Sequence, residues 1–197
     1  MRENYLLSLF LGFIGVFISF SQSGINESYA IVSINGAANA YYDLQANTGN
    51  IDFDSANLGT FNMSNPSETL VLNGAQNKTY KCNTDQITNG FLNYRIYLSS
   101  NPSPPAFIGS QIFFLSNDGT TGCGGTDQLQ TWEAIAANIN VLNGLCNGDY
   151  ILEVYTTADY TFTSGGGGSG THFANNAIAN YKANFTIQDD IDPTITC

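Results

Sequence analysis

Apolar and polar positions alternate most cleanly over residues 149–156, where Tyr150, Leu152 and Val154 share one face and Ile151, Glu153 and Tyr155 the other. A period of two predicts a strand with one face buried. Asn143-Gly144 and Asn147-Gly148 precede it as turn dipeptides, because both residue types tolerate positive φ. Residues 91–98 repeat the pattern, with Leu92, Tyr94, Ile96 and Leu98 against Phe91, Asn93, Arg95 and Tyr97. Pro102-Ser103-Pro104-Pro105 ends that run, since proline donates nothing to a ladder. Residues 181–187 place Tyr181, Ala183, Phe185 and Ile187 inward. Shorter strand-like runs fall at 28–34, 41–45, 58–63 and 107–115. Residues 68–80 read as a hairpin turning at Asn73-Gly74. Residues 130–142 are mixed: Trp132 to Ala137 has helical propensity, whereas Asn138 to Leu142 alternates like a strand. Residues 47–57, 117–127 and 164–170 read as loops, the last a Gly/Ser tract expected to be the most mobile part of the domain together with its flanks, 163–173.

Strands at short intervals, divided by turn signals and without a long amphipathic helix, predict an all-β fold. The leucine-rich corner, a glycine and then Tyr-x-Leu-x-Val at 150–154 point to an immunoglobulin-like antiparallel β-sandwich. Residues 91–98 and 149–156 are antiparallel neighbours in that topology. Arg95 and Glu153 should then form an exposed cross-strand ion pair contributing about 0.2–1 kcal/mol.

The start of the chain changes the picture of where this domain works. Residues 5–20 form an apolar run shorter than the ~20 residues of a spanning helix, and Ser21-Gln22-Ser23 supplies small residues for cleavage before Gly24. The expected organisation is a signal peptide at 1–23, one β-sandwich module at 24–188, and a linker with the start of a following module at 189–197. The expected location is secreted or at the cell surface, with no membrane span after cleavage. Lys and Arg number 5 and Asp and Glu 16, for a net charge of −11. Such a surface repels phosphate backbones, so nucleic acid is not an expected partner.

Candidate chemistry is sparse. Asp43, Asp52 and Asp54, with Asn47 and Asn50, offer the oxygen ligands that calcium prefers. The competing reading is Asx-turn chemistry, in which these side chains bond the local backbone. No other cofactor is expected. His172, the one histidine, reads as an exposed loop residue with no nucleophile motif beside it. Glu133 and Glu153 are the carboxylates that glycoside hydrolysis would need, provided they share a cleft. Tyr41, Tyr42, Tyr155 and Tyr160 would stack on sugars if exposed together; on strand faces they serve equally as core. No enzyme signature emerges.

Four blocks carry a resemblance. They are Tyr41-Tyr42-Asp43-Leu44-Gln45-Ala46-Asn47-Thr48-Gly49-Asn50 with Asp52-Phe53 and 56–61; Asn93-Tyr94-Arg95-Ile96-Tyr97; Leu142 to Leu145 with 148–155; and 180–187. In this order they resemble the N-terminal β-sandwich module of surface and secreted proteins from bacteria that use type IX secretion. Asp192-Pro193-Thr194-Ile195-Thr196-Cys197 resembles the opening strand of a hyalin-repeat adhesion module. The resemblance implies a non-catalytic extracellular module, structural or adhesive, at the head of a longer chain. Its partners would be the secretion machinery and a surface polysaccharide or protein ligand. The alternative is a carbohydrate-binding module attached to a downstream enzyme.

Cys82, Cys123, Cys146 and Cys197 form an even set behind a signal peptide, which permits disulfides. Counting strand directions places Cys82 and Cys123 at one end of the sandwich and Cys146 at the other. The expected bridge is Cys82–Cys123, stabilising by about 2–4 kcal/mol through restriction of the unfolded chain. Cys146 reaches Cys197 unless the latter belongs to the next module.

Overall fold

A computed structural model describes residues 23–123 and 127–188. Twelve strands appear in chain order: β1 (Ser23–Ile34), β2 (Ala40–Asp43), β3 (Ile51–Asp52), β4 (Asn57–Asn62), β5 (Leu70–Lys81), β6 (Gln86–Leu98), β7 (Ile108–Gly119), β8 (Gln128–Ala134), β9 (Ile139–Asn140), β10 (Gly148–Phe162), β11 (Gly168–Ala174) and β12 (Tyr181–Gln188). The described residues contain no α-helix, only two short 3-10 turns. The expected all-β class is what forms.

The strands make one curled sheet in the order β3-β2-β1-β5-β8-β7-β6-β10-β12-β4, with β9 beside β5 and β11 beside β10. Pairing is mostly antiparallel, but β2–β3 and β4–β12 are parallel, which corrects the expectation of a purely antiparallel arrangement. β7 makes the bend. Its residues 108–112 pair with β6, and Phe113 onward pairs with β8. The curl brings β1 against β10, where Ser28 Oγ meets Thr156 Oγ1 at 2.6 Å. Thr156 Oγ1 also donates to Asn77 Oδ1, and Asn77 Nδ2 donates to the Thr157 carbonyl. This buried polar staple is satisfied on each of these contacts, so it costs little desolvation while fixing how β1 and β5 sit against β10. Around it lie Leu70, Leu72, Leu92, Ile112, Leu152, Val154, Phe185 and Ile187, all buried.

Two local expectations fail for instructive reasons. Asn73-Gly74 is not a hairpin turn. β5 runs straight through it, and β1 registers Ile31 with Gly74 and Val32 with Leu72, leaving Asn73 as the bulged residue. Gly74 has φ +138°, and a Cβ there would sit 2.1 Å from the Ala134 carbonyl oxygen. The glycine serves close backbone approach at the point where β5 exchanges β8 for β9 as its neighbour. The Gly/Ser tract is not wholly loop either. Gly168 and Gly170 belong to β11, registered with Phe162 and Tyr160 of β10. A Cβ on either glycine would strike the opposing ring at 2.6 or 2.7 Å. Two aromatic rings thus lie over these glycines and would have to shift for any larger residue, and the loop contracts to 163–167. The start of the mixed stretch 130–142, where Trp132 to Ala137 has helical propensity, instead falls in β8 as far as Ala134, because ladders on both sides override propensity.

Candidate functional site

Asp43 ends β2 with its carboxylate turned inward. It accepts from Thr48 N at 3.0 Å, from Thr48 Oγ1 and from Asn50 Nδ2 at 3.3 Å. The loop 44–50 thus wraps around one buried acid. Asp52 accepts from the amide of Asp54 at 2.9 Å, and Asp54 accepts from the amide of Lys182 at 3.0 Å. Phe53 is fully buried between them and meets Tyr42 edge-on. Asp52 and Asp54 reach a cleft of about 660 Å³ also lined by Asn26, Gln45, Asn47 and Asn176; Asp43 does not line it. Among the described residues no group of three or more His, Cys, Asp or Glu side chains is placed to hold a metal. Of these bonds only the one from the Asp54 amide to Asp52 is an Asx turn; Asp43 mainly binds side chains of the loop that follows it, and Asp54 ties its loop to the amide of Lys182 on β12.

Glu153 occupies a different environment. It lies opposite Arg95 in the β6–β10 register. Arg95 donates to it twice, from Nε at 3.0 Å and from Nη2 at 2.9 Å. Tyr97 Oη donates at 2.6 Å and Asn180 Nδ2 at 2.7 Å. The expected pairing is present, but its expected exposure is not: the Glu153 side chain is 1% exposed and that of Arg95 20%. The cover comes from the proline-rich connection before β7. Arg95 donates to the Pro105 carbonyl and lies 4.3 Å over the Phe107 ring. Burial pushes the Glu153 carboxyl up, but the hydrogen bonds from Tyr97, Asn180 and Arg95, with the Arg95 charge, outweigh it and hold the group below its ordinary value. Burial and then the neighbouring carboxylate push the Tyr97 phenol up to about 12.

Glu133 stands apart from this cluster. It accepts from Tyr41 Oη at 2.8 Å and from Gln76 Nε2 at 2.6 Å. Its strand, β8, is separated from β10 by β7 and β6 in the sheet order, and the two glutamates share no hydrogen-bond partner. The four tyrosines are dispersed as well. Tyr42 is buried, Tyr41 packs edge-on against Tyr29, and Tyr160 stacks on His172 at 4.2 Å. Tyr155 alone joins an accessible aromatic group. Phe107 meets it edge-on at 4.8 Å, and Phe173, 53% exposed, lies 6.4 Å away and 33° from parallel.

His172 is not a loop residue. It sits in β11, half-buried, with Nε2 3.1 Å from Ser23 Oγ. Burial lowers its pKa, opposed by the nearby Asp85 charge. Ser23, the last residue of the expected leader, is 3% exposed and registers with Lys81 in the β1–β5 ladder. Cys82 and Cys123, the pair selected by strand counting, are joined with Cα atoms 5.9 Å apart. Cys146 is not a free thiol; Cys197 and the hyalin-like tail lie outside the described residues.

The residues that sequence reasoning missed are the supporting ones. Tyr97 was legible as a partner, two positions from Arg95 on the same face. Asn180, Phe107 and Phe173 carried no such signal, since loops and a glycine-rich hairpin bring them in. No protein-family model, curated protein or solved structure matches this chain.

Proposed function

We propose that this chain is a non-catalytic extracellular module of immunoglobulin-like sandwich type, with a structural or adhesive role in a larger secreted or surface-attached bacterial protein. What supports the reading is the state of Glu153. Its four donors occupy both oxygens and keep it ionised, whereas a general acid needs a raised pKa and an open face. The type IX route, the secretion machinery as partner and the surface location rest on the sequence blocks alone. In-frame deletion of 24–188 from the encoding gene tests the role. Loss of cell-surface attachment with secretion retained is the expected outcome; undiminished attachment sinks the proposal.

One observation favours a second reading, a carbohydrate-binding module. The Phe107–Tyr155–Phe173 group exposes aromatic surface beside the uncharged side chains of Asn93 and Gln111, and such rings stack on sugar faces. Affinity electrophoresis through polysaccharide-loaded gels separates the readings. Retardation that Phe173→Ala abolishes supports sugar binding; migration unchanged across neutral polysaccharides removes it.

A further inference from the structure

Chain ends are usually loose unless something ties them down, and the start of β1 is tied on two sides. Ser23 is 3% exposed, Gly24 is buried and Ile25 is 8% exposed. The three register with Lys81, Tyr80 and Thr79 of β5. Tyr80 lies over Gly24 so closely that a Cβ there would stand 2.8 Å from its ring. Ser23 also reaches β11, where its Oγ is 3.1 Å from His172 Nε2. His172 in turn stacks on Tyr160 of β10 at 4.2 Å. One serine thus joins the start of β1 to both β5 and β11.

Two cleavage frames satisfy the small-residue pattern that ends a leader. Ser21 and Ser23 frame a cut before Gly24, and Ser19 and Ser21 frame a cut before Gln22. Residue type does not separate them; burial does. A cut before Gly24 removes Ser23 and gives Gly24 an α-ammonium, charged at neutral pH because such groups titrate at about 7.7–8.0. That charge would lie inside the β1–β5 ladder beneath the Tyr80 ring, a place poor in water and costly for an ion. Lys81, 7% exposed, already brings a positive charge to the position opposite Ser23. Asp85, the acid whose charge reaches His172, is itself buried and already engaged. His172 would lose the Ser23 hydroxyl as well. A cut before Gln22 keeps Ser23 and moves the ammonium two residues ahead of Gly24.

We propose that the leader is removed between Ser21 and Gln22, so that the secreted domain begins at Gln22 and keeps the Ser23–His172 contact. The cut belongs to a peptidase that reads small side chains three and one residues before the bond, here Ser19 and Ser21. The buried start of β1 then consists entirely of uncharged residues, Ser23-Gly24-Ile25. This assignment rests on the extracellular reading above, and its test keeps the two apart.

The test is mass spectrometry of the N-terminal peptide from the full chain, expressed with its own leader in a secreting bacterial host. The expected peptide begins at Gln22. Ser19→Tyr alters the earlier frame alone and should abolish that peptide. A parent peptide that begins at Gly24 overturns the proposal while the leader reading stands. A chain that keeps Met1 overturns both. A Gln22 peptide undiminished in Ser19→Tyr overturns the assignment of this frame to the small-residue peptidase.

Discussion

Two glutamates face a basic residue directly across a ladder, and they behave differently. Glu27 registers with Lys78 between β1 and β5, and Glu153 with Arg95 between β6 and β10. The Lys78–Glu27 pair is 2.8 Å long, with side chains 45% and 32% exposed. It has one further donor, Tyr29 Oη at 2.5 Å. Glu153 is nearly sealed and has three donor residues. An exposed pair is screened and contributes little. A buried one is bounded by desolvation, so the geometry of every donor matters, and removing one partner leaves a charge with nowhere to go. Register sets which residues meet; cover sets what the meeting is worth.

The comparison breaks hardest at Arg95. Arg95→Met should cost about 3–5 kcal/mol, because Glu153 is left buried and poorly compensated. The double variant Arg95→Met with Glu153→Leu should recover a good part of that loss. Chemical denaturation reads both values, and a double variant no better than the single removes the desolvation account. Tyr97→Phe should cost about 1.5–3 kcal/mol, the range for a hydrogen bond to a charged group.

Acid provides a third separation. The Glu153 and Glu27 carboxyls are both held below the ordinary value of 4.5 in the fold. Each therefore contributes stability that is present above pH 4.5 and lost as pH falls through the depressed folded value. His172 acts in the same direction from higher pH. Its folded pKa lies below the ordinary 6.5, so the unfolded chain takes up the proton first and stability declines as pH drops below that value. Unfolding free energy measured from pH 7 to pH 3 should fall throughout, and Glu27→Gln should flatten the acid limb only slightly. The smallest effect belongs to Lys78→Ala, about 0.2–1 kcal/mol and shrinking with added salt. A loss there as large as that for Arg95→Met would erase the distinction.

Part of this was legible without coordinates. Period-two alternation marks residues 91–98, 149–156 and 181–187, and it places Arg95 and Glu153 on matching faces. Alternation is local, and it anticipates the burial of Leu92, Leu152, Val154, Ala183 and Phe185, but not the 41% exposure of Leu98 on the same face as Leu92 or the burial of Tyr97 on the other. The candidate site was legible only at its centre. Glu153 reads as an outward residue, and nothing in its own strand signals that a proline-rich connection, Asn180 and Phe107 will close over it. Glycine signals were ambiguous in the same manner. Asn73-Gly74 has turn chemistry but serves a bulge, and the Gly/Ser tract looks mobile but lies under aromatic rings on the opposite strand.

By itself, then, the sequence determined the β class, which residues share a strand face, and the acidity that governs how the molecule meets others. These follow from backbone sterics, side-chain polarity and charge, properties each residue carries wherever it sits. The curl of the sheet at β7, the sealing of Glu153, the turning of Asp43 away from the cleft that Asp52 and Asp54 line, and the dispersal of the tyrosines were decided only by tertiary structure. Each depends on which strand lies beside which, and a ladder pairs any two backbones that alternation leaves equivalent.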